Sequence, residues 1–207
     1  MKETIINAVQ DAVRAAQQLE KEESVNFIEN AASMIANAFK NGNKIIIAGN
    51  GGSLCDAQHF AEELTGFFRK FRPALPAIAL SEPGHLTCVS NDLGFNWVFA
   101  RGVEAYGKPG DIFIGLTTSG NSENIIKAVE VAQEKNLQTI TFLGKNGGKL
   151  RGSANLELII DGFETSDRIQ EAHMAAIHII IEIVEHLMDQ YQEKKAASEL
   201  AMTDTHK

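Results

Sequence analysis

The chain has 207 residues, 44% hydrophobic and 22% charged, the composition of one soluble globular domain with a sizeable core. No stretch approaches the roughly 20 uninterrupted apolar residues that span a bilayer, and Met1-Lys2-Glu3-Thr4 does not open a secretory leader; a cytoplasmic protein without membrane contact is expected. Nineteen Lys and Arg against 27 Asp and Glu give a net charge of −8, which repels nucleic acid and leaves any phosphate to be held by local geometry.

Over the first forty residues apolar positions recur at helical spacing. Ile5, Val9, Ala12, Val13, Ala16 and Leu19 form one stripe, and Ile28, Ala31, Ile35 and Phe39 another. They predict an N-terminal helical hairpin, with Ser24 a candidate N-cap and Asn41-Gly42-Asn43 the stop. From Lys44 the pattern changes to five short apolar runs at 45–48, 77–80, 112–116, 139–143 and 156–160. Most are continuous rather than alternating, which suits strands buried on both faces. Helical segments separate them, at about 53–68, 84–107 with a break, 122–136 and a short piece at 147–152. This alternation predicts a single α/β domain, a doubly wound parallel sheet with helices on both sides.

The longest helical pattern follows, from about Ser166 to Tyr191, apolar on more than one face and therefore expected to be buried, in part against another subunit. Residues 192–207 read as a polar, frayed tail, leaving 1–191 as the domain. Cys55 and Cys88 are the only cysteines; their spacing fits neither a disulfide framework nor a zinc knuckle, and both are expected to be small buried hydrophobes.

Two segments carry a phosphate signal. Gly49-Asn50-Gly51-Gly52-Ser53 joins the first predicted strand to a helix, where glycines let a ligand approach free amide groups. A tight strand-to-helix turn also needs glycine for its own sake, and no Gly-Lys-Ser/Thr follows to make a P-loop. Thr117-Thr118-Ser119-Gly120-Asn121-Ser122 repeats the arrangement after the third strand with four hydroxyls at a helix start, more than capping requires. Both lie at strand C-termini, where open α/β sheets bind ligands.

On the helix after the first loop, His59 and Glu63 share a face, with Asp56 near them. Taken alone such a pair is usually a solvated surface ion pair; its place on a helix that begins at the ligand loop raises the readings as a metal site or a base with its partner. The late helix offers Gln170, Glu171, His173, His178, Glu182 and His186 among apolar neighbours. His178, between Ile177 and Ile179, could be a hydrogen-bonded core histidine. Gln170 and His178 lie roughly 80° apart around the helix, so spacing alone does not pair them.

Taken together, these segments resemble the sugar isomerase (SIS) domain family and, within it, the phosphoheptose isomerases. The resemblance rests on the two loops, on Asp56-Ala57-Gln58-His59-Phe60-Ala61-Glu62-Glu63-Leu64, on Asn91-Asp92, and on Arg168-Ile169-Gln170-Glu171-Ala172-His173 with His178, and runs from about Ile5 to Leu187. It implies a five-stranded parallel sheet flanked by helices, and a homotetramer with active sites at subunit interfaces. The implied reaction takes sedoheptulose 7-phosphate to D-glycero-D-manno-heptose 7-phosphate, an early step toward the activated heptose of lipopolysaccharide and other surface polysaccharide. By resemblance, Glu63 is the catalytic carboxylate and His178 its acid/base partner. Thr117, Thr118, Ser119 and Ser122 match the phosphate cradle; Asn50, Gly51, Gly52, Ser53, Glu63, Asn91, Asp92 and Gln170 match the other substrate contacts. His59, Glu63, Gln170 and His178 match positions that can bind zinc, and no organic cofactor is implied. After Thr65-Gly66, where the family commonly has a basic residue, this chain has Phe67. A non-catalytic family member that binds the replication initiator would share the scaffold without needing Glu63 and His178. A sugar-phosphate-sensing regulator would add a DNA-binding domain, for which these residues leave no room.

Overall fold

The two N-terminal apolar stripes fold as α1 (Lys2–Gln17) and α2 (Glu22–Lys40), joined by a 3-10 turn at Gln18–Glu20. The structure, a computed structural model, describes residues 1–204 and the side chains of residues 1–195. The predicted strands follow as β1 (Ile45–Gly49), β2 (Ala77–Ala79), β3 (Ile112–Thr117), β4 (Gln138–Gly144) and β5 (Leu156–Ile160). Between them lie α3 (Gly52–Thr65), α4 (Pro83–Leu93), a 3-10 turn at Phe95–Trp97, α5 (Val98–Tyr106), α6 (Glu123–Glu134) and a 3-10 turn at Gly148–Leu150. The last element, α7, runs Ser166–Asp204.

All strand pairs are parallel, in the order β2-β1-β3-β4-β5. β1 and β3 are buried at every position, as continuous apolar runs require. Alternate side chains go to opposite layers: Ile45 and Ile47 join the core under α2, α3 and α7, while Ile46 and Ala48 join the core under α4, α5 and α6. Each such isoleucine taken fully out of water contributes about 1.5–3 kcal/mol. The winding reverses between β1 and β3, so the carboxyl ends of these two strands flank the crevice where a doubly wound sheet binds ligands.

Several expectations change. Ser24 does not cap α2: it sits buried within the first turn, and Lys21 holds the N-cap position without a side-chain bond. The 3-10 turn lets the helix start earlier, with Glu22 and Glu23 at its positive end. Both N-terminal helices pack along α7, yet most of the α1 stripe is not covered; Ile5, Val9 and Val13 are 63%, 58% and 50% exposed. Cys55 and Cys88 are exposed rather than buried, because each faces outward on its helix; the Cys88 thiol lies 3.6 Å from an Asp92 carboxylate oxygen, whose hydrogen bond and charge push its pKa up. The final helix does not stop near Tyr191 but continues to Asp204, and of the predicted tail residues 205–207 lie outside the described residues. Among the described residues no helix is long and apolar enough to cross a membrane.

Candidate active site

The crevice between β1 and β3 holds a cleft of about 120 Å³. The first glycine-rich loop brings Asn50 and Ser53 to it, and the second brings Thr117, Thr118, Ser119 and Ser122. Ser166 and Gln170, from the start of α7, complete the wall. Among the described residues no charged side chain lines it.

Local geometry explains the glycines. Gly120 has φ +64°, and a Cβ there would lie 1.8 Å from the carbonyl oxygen of Gly147, so only glycine lets the second loop close against the turn after β4. At Gly52 a Cβ would fall 2.7 Å from the Gln170 side chain; the bare backbone lets Gln170 lie across the start of α3, its amide donating to Ser53 Oγ at 3.1 Å. No side chain caps α3 or α6, so their dipoles and first-turn amides favour an anion in the cleft. The hydroxyls are already arranged: Thr117 Oγ1 lies 3.0 Å from Ser122 Oγ, and Thr118 Oγ1 lies 3.0 Å from Ser166 Oγ.

A second group lies farther along the same two helices. His59 and Glu63 on α3 meet His178 on α7, with one ligating atom from each within 4.8 Å of the others. His59 Nε2 is 3.3 Å from Glu63 Oε1, and the rings of His59 and His178 meet edge to face at 5.1 Å. Phe68 stacks on the other side of His178 at 5.5 Å. His178 is therefore neither a hydrogen-bonded core histidine nor a free surface group. Burial holds its pKa below the ordinary imidazole value, helped by His59 and Arg69 and opposed by Glu63. One helical turn before His59, burial raises the Asp56 carboxyl to about 6 against the pull of His59, and its buried Oδ2 has no hydrogen-bond partner.

Two imidazoles and one carboxylate with converging ligand atoms match the three-protein-ligand set of a catalytic zinc. Asp56, with its unpartnered oxygen beside this group, adds a carboxylate that a cation would stabilise. Gln170, also expected among the metal ligands, points instead to Ser53, and the eight-residue step from it to His178 spans about 12 Å of helix. Asn91 and Asp92 lie exposed on the last turn of α4, bonded to each other at 2.7 Å, away from the residues that line the cleft.

Two contributors escaped sequence reasoning. Asn124, buried in the first turn of α6, exchanges a reciprocal pair of 2.9 Å amide bonds with Asn50 and fixes the first loop against the helix after the second. Ser166 reaches the cleft because α7 begins there. No spacing rule links 50 to 124 or 118 to 166; the sheet order brings them together.

The sequence and fold have counterparts among known proteins. Residues 9–144 match a family profile described as SIS domain. The chain is similar to the phosphoheptose isomerase of Fusobacterium nucleatum, 58% identical over 170 residues that make up 82% of this chain and 87% of that one. It is likewise similar to the phosphoheptose isomerase of Pectobacterium atrosepticum, 54% identical over 82% of this chain and 88% of that one. Among solved structures, the phosphoheptose isomerase of Neisseria gonorrhoeae superposes with a TM-score of 0.82 at 36% identity, covering 89% of this chain and 98% of that one.

Proposed function

The chain belongs to the phosphoheptose isomerases of the SIS-domain family, and from that premise we propose how its cleft and its acid–base group divide the work. The activity is aldose–ketose isomerisation of sedoheptulose 7-phosphate, the reaction of heptose biosynthesis. The observation that carries the division of labour is spacing. Ser53 to His59 and Gln170 to His178 span about 9–12 Å of helix at 1.5 Å per residue. From C1 to phosphorus an extended heptulose 7-phosphate measures roughly 10 Å for bonds of about 1.5 Å.

In this reading the phosphate sits among Ser53, Thr117, Thr118, Ser119 and Ser122, on amides and helix dipoles rather than on lysine. Gly51, Gly52, Asn50 and Gln170 shape the near wall. The remote phosphate orients the open chain so that C1 and C2 lie beside the acid–base group. Glu63 removes the C1 proton and the proton is returned to C2, through an enediol. His178 moves the hydroxyl proton between O1 and O2; its lowered pKa keeps the imidazole neutral near pH 7 and able to accept. His59, Glu63 and His178 would hold a zinc ion, and a bound zinc would supply polarisation of the carbonyl and hydroxyl oxygens. Glu63 retains a second carboxylate oxygen for proton transfer.

Asn91 and Asp92 reach substrate from a neighbouring subunit in this reading, within a homotetramer that covers the exposed α1 stripe; a monomeric mass in light scattering would rule that out. The chain then works in the cytoplasm, supplying activated heptose for lipopolysaccharide, with residues 1–191 as the SIS domain. A protein that only binds the replication initiator would have no use for an assembled His59–Glu63–His178 group. The test is turnover of sedoheptulose 7-phosphate by purified protein, with deuterium incorporation at C1 in heavy water, with and without added zinc. Product carrying deuterium supports the enediol and its metal response assigns zinc a role; neither turnover nor exchange under either condition defeats the reading.

A further inference from the structure

Beyond the acid–base group lies a buried ion pair that none of the chemistry above uses. Arg72, in the segment between α3 and β2, is 9% exposed, and Glu185 on α7 is 5% exposed. Arg72 Nε donates to Glu185 Oε1 at 2.7 Å. Both partners are then fully occupied by backbone. The guanidinium donates through Nη2 to the carbonyl oxygen of Glu63 at 2.8 Å and through Nη1 to that of Leu64 at 2.9 Å. These carbonyls lie in the last turn of α3, where a helix has no acceptors' partners of its own and favours a cation. The Glu185 carboxylate accepts the backbone N–H groups of Phe68 at 3.2 Å and Arg69 at 3.3 Å.

One end of this network therefore terminates on Glu63, and the other on the backbone of Phe68, the residue that stacks on His178. Arg72 grips the peptide of Glu63 itself. Glu185, two turns beyond His178 on the same helix, fixes the backbone of Phe68, whose ring stacks on the His178 imidazole. A buried ion pair is a poor source of net stability, since apolar residues of similar volume often serve as well. What a planar guanidinium adds is direction: one side chain ties a carboxylate to successive carbonyls at fixed angles.

We propose that Arg72 and Glu185 are positioning residues of the isomerase, holding the α3 turn that carries Glu63 and the Phe68 platform of His178 in fixed register. The proposal rests on the reading of Glu63 and His178 as the acid–base pair. It separates positioning from substrate binding, because neither residue lines the phosphate cleft.

The test uses full-length protein and three variants: R72M/E185L, R72K and, as a control on the underlying reading, Glu63→Gln. The double variant keeps the buried volume and removes every directional bond. It is expected to melt cooperatively and lose about 10- to 100-fold in kcat and in C1 deuterium exchange, with KM for sedoheptulose 7-phosphate within about twofold of wild type. A folded double variant with kcat within about twofold of wild type overturns the proposal, since a merely structural pair is replaced by packing. Should the double variant not fold, R72K decides. It keeps the charge but cannot span Glu185 and two carbonyls, so a kcat loss at constant KM supports the proposal and wild-type kcat overturns it. Wild-type turnover by Glu63→Gln would overturn the acid–base reading and the clamp together, whereas a dead Glu63→Gln beside a fully active double variant sinks the clamp alone.

Discussion

The phosphate cleft and the His59–Glu63–His178 group share α3 and α7 but are made of different materials. The cleft consists of loop amides, hydroxyls and helix N-termini at the carboxyl ends of β1 and β3, with no charged side chain among the described residues that line it. The other group consists of titratable side chains on two neighbouring helices, all partly buried. A site built from backbone is fixed once the sheet forms and holds its ligand by geometry. A site built from side chains on two helices depends on how those helices are held, which is why a buried ion pair stands behind it and not behind the cleft.

The sharpest way to break this comparison is Glu63→Gln. If the acid–base group performs chemistry and the cleft performs binding, kcat falls by about 10²- to 10⁴-fold while KM stays near wild type. Steady-state kinetics with sedoheptulose 7-phosphate checks this, and a change confined to KM would erase the distinction.

His173 joins the two regions, since it lies on α7 between Gln170 and His178 and its Nε2 donates to the Leu143 carbonyl of β4 at 2.8 Å. Burial lowers its pKa to about 4, only partly offset by that hydrogen bond. At this residue the unfolded chain binds more protons than the folded one between about pH 6.5 and 4, so His173 withdraws on the order of 3 kcal/mol as pH drops through that window, while Asp56, raised to about 6, acts in the opposite direction below pH 6. Melting temperatures across pH 4 to 7 should carry this His173 contribution to their slope. His173→Leu should flatten it while costing the Leu143 bond at every pH, and an unchanged slope would show that acid lability arises elsewhere.

A smaller effect tests the cleft. Ser119→Ala removes one hydroxyl from a site for a charged group and should raise KM about 10-fold, with kcat changed far less. An equal loss in kcat and none in KM would transfer the cleft's role to the chemistry. Smallest of all, Cys55→Ser and Cys88→Ser lie on exposed helix surface and should shift stability by less than about 0.5 kcal/mol in thermal melts.

The two regions also differ in how well they could be read beforehand. The cleft was legible because its loops are local: glycines and hydroxyls lie within a few residues of one another, directly after continuous apolar runs, and the sheet forms where those runs are. Two of the three members of the acid–base group are legible too, because His59 and Glu63 are four residues apart on one helix. That spacing could not choose between an ion pair, a base and a metal site. His178 looked like a core histidine from its neighbours, and Gln170 could not be placed relative to it, because the angle around α7 says nothing about which helix lies opposite.

The exposed face of α1 shows the same limit from the other side. The periodicity of Ile5, Val9 and Val13 is a sound signal for a helix, but it does not say what covers the stripe, and within this chain most of it stays uncovered. Cys55 and Cys88 were misjudged by residue type, because average burial of cysteine does not fix which side of a helix a given position occupies.

By itself, then, the sequence determined the strands, the order of strand and helix, the glycine turns and the hydroxyl cradle, since each follows from apolar periodicity or backbone freedom over a short window. Only the tertiary structure decided that Asn50 pairs with Asn124, that Ser166 and Gln170 close the cleft, that His178 meets His59 and Glu63, and that Arg72 binds Glu185. These contacts join residues about 50 to 120 positions apart, brought together by the parallel crossovers of the sheet, and no local spacing encodes them.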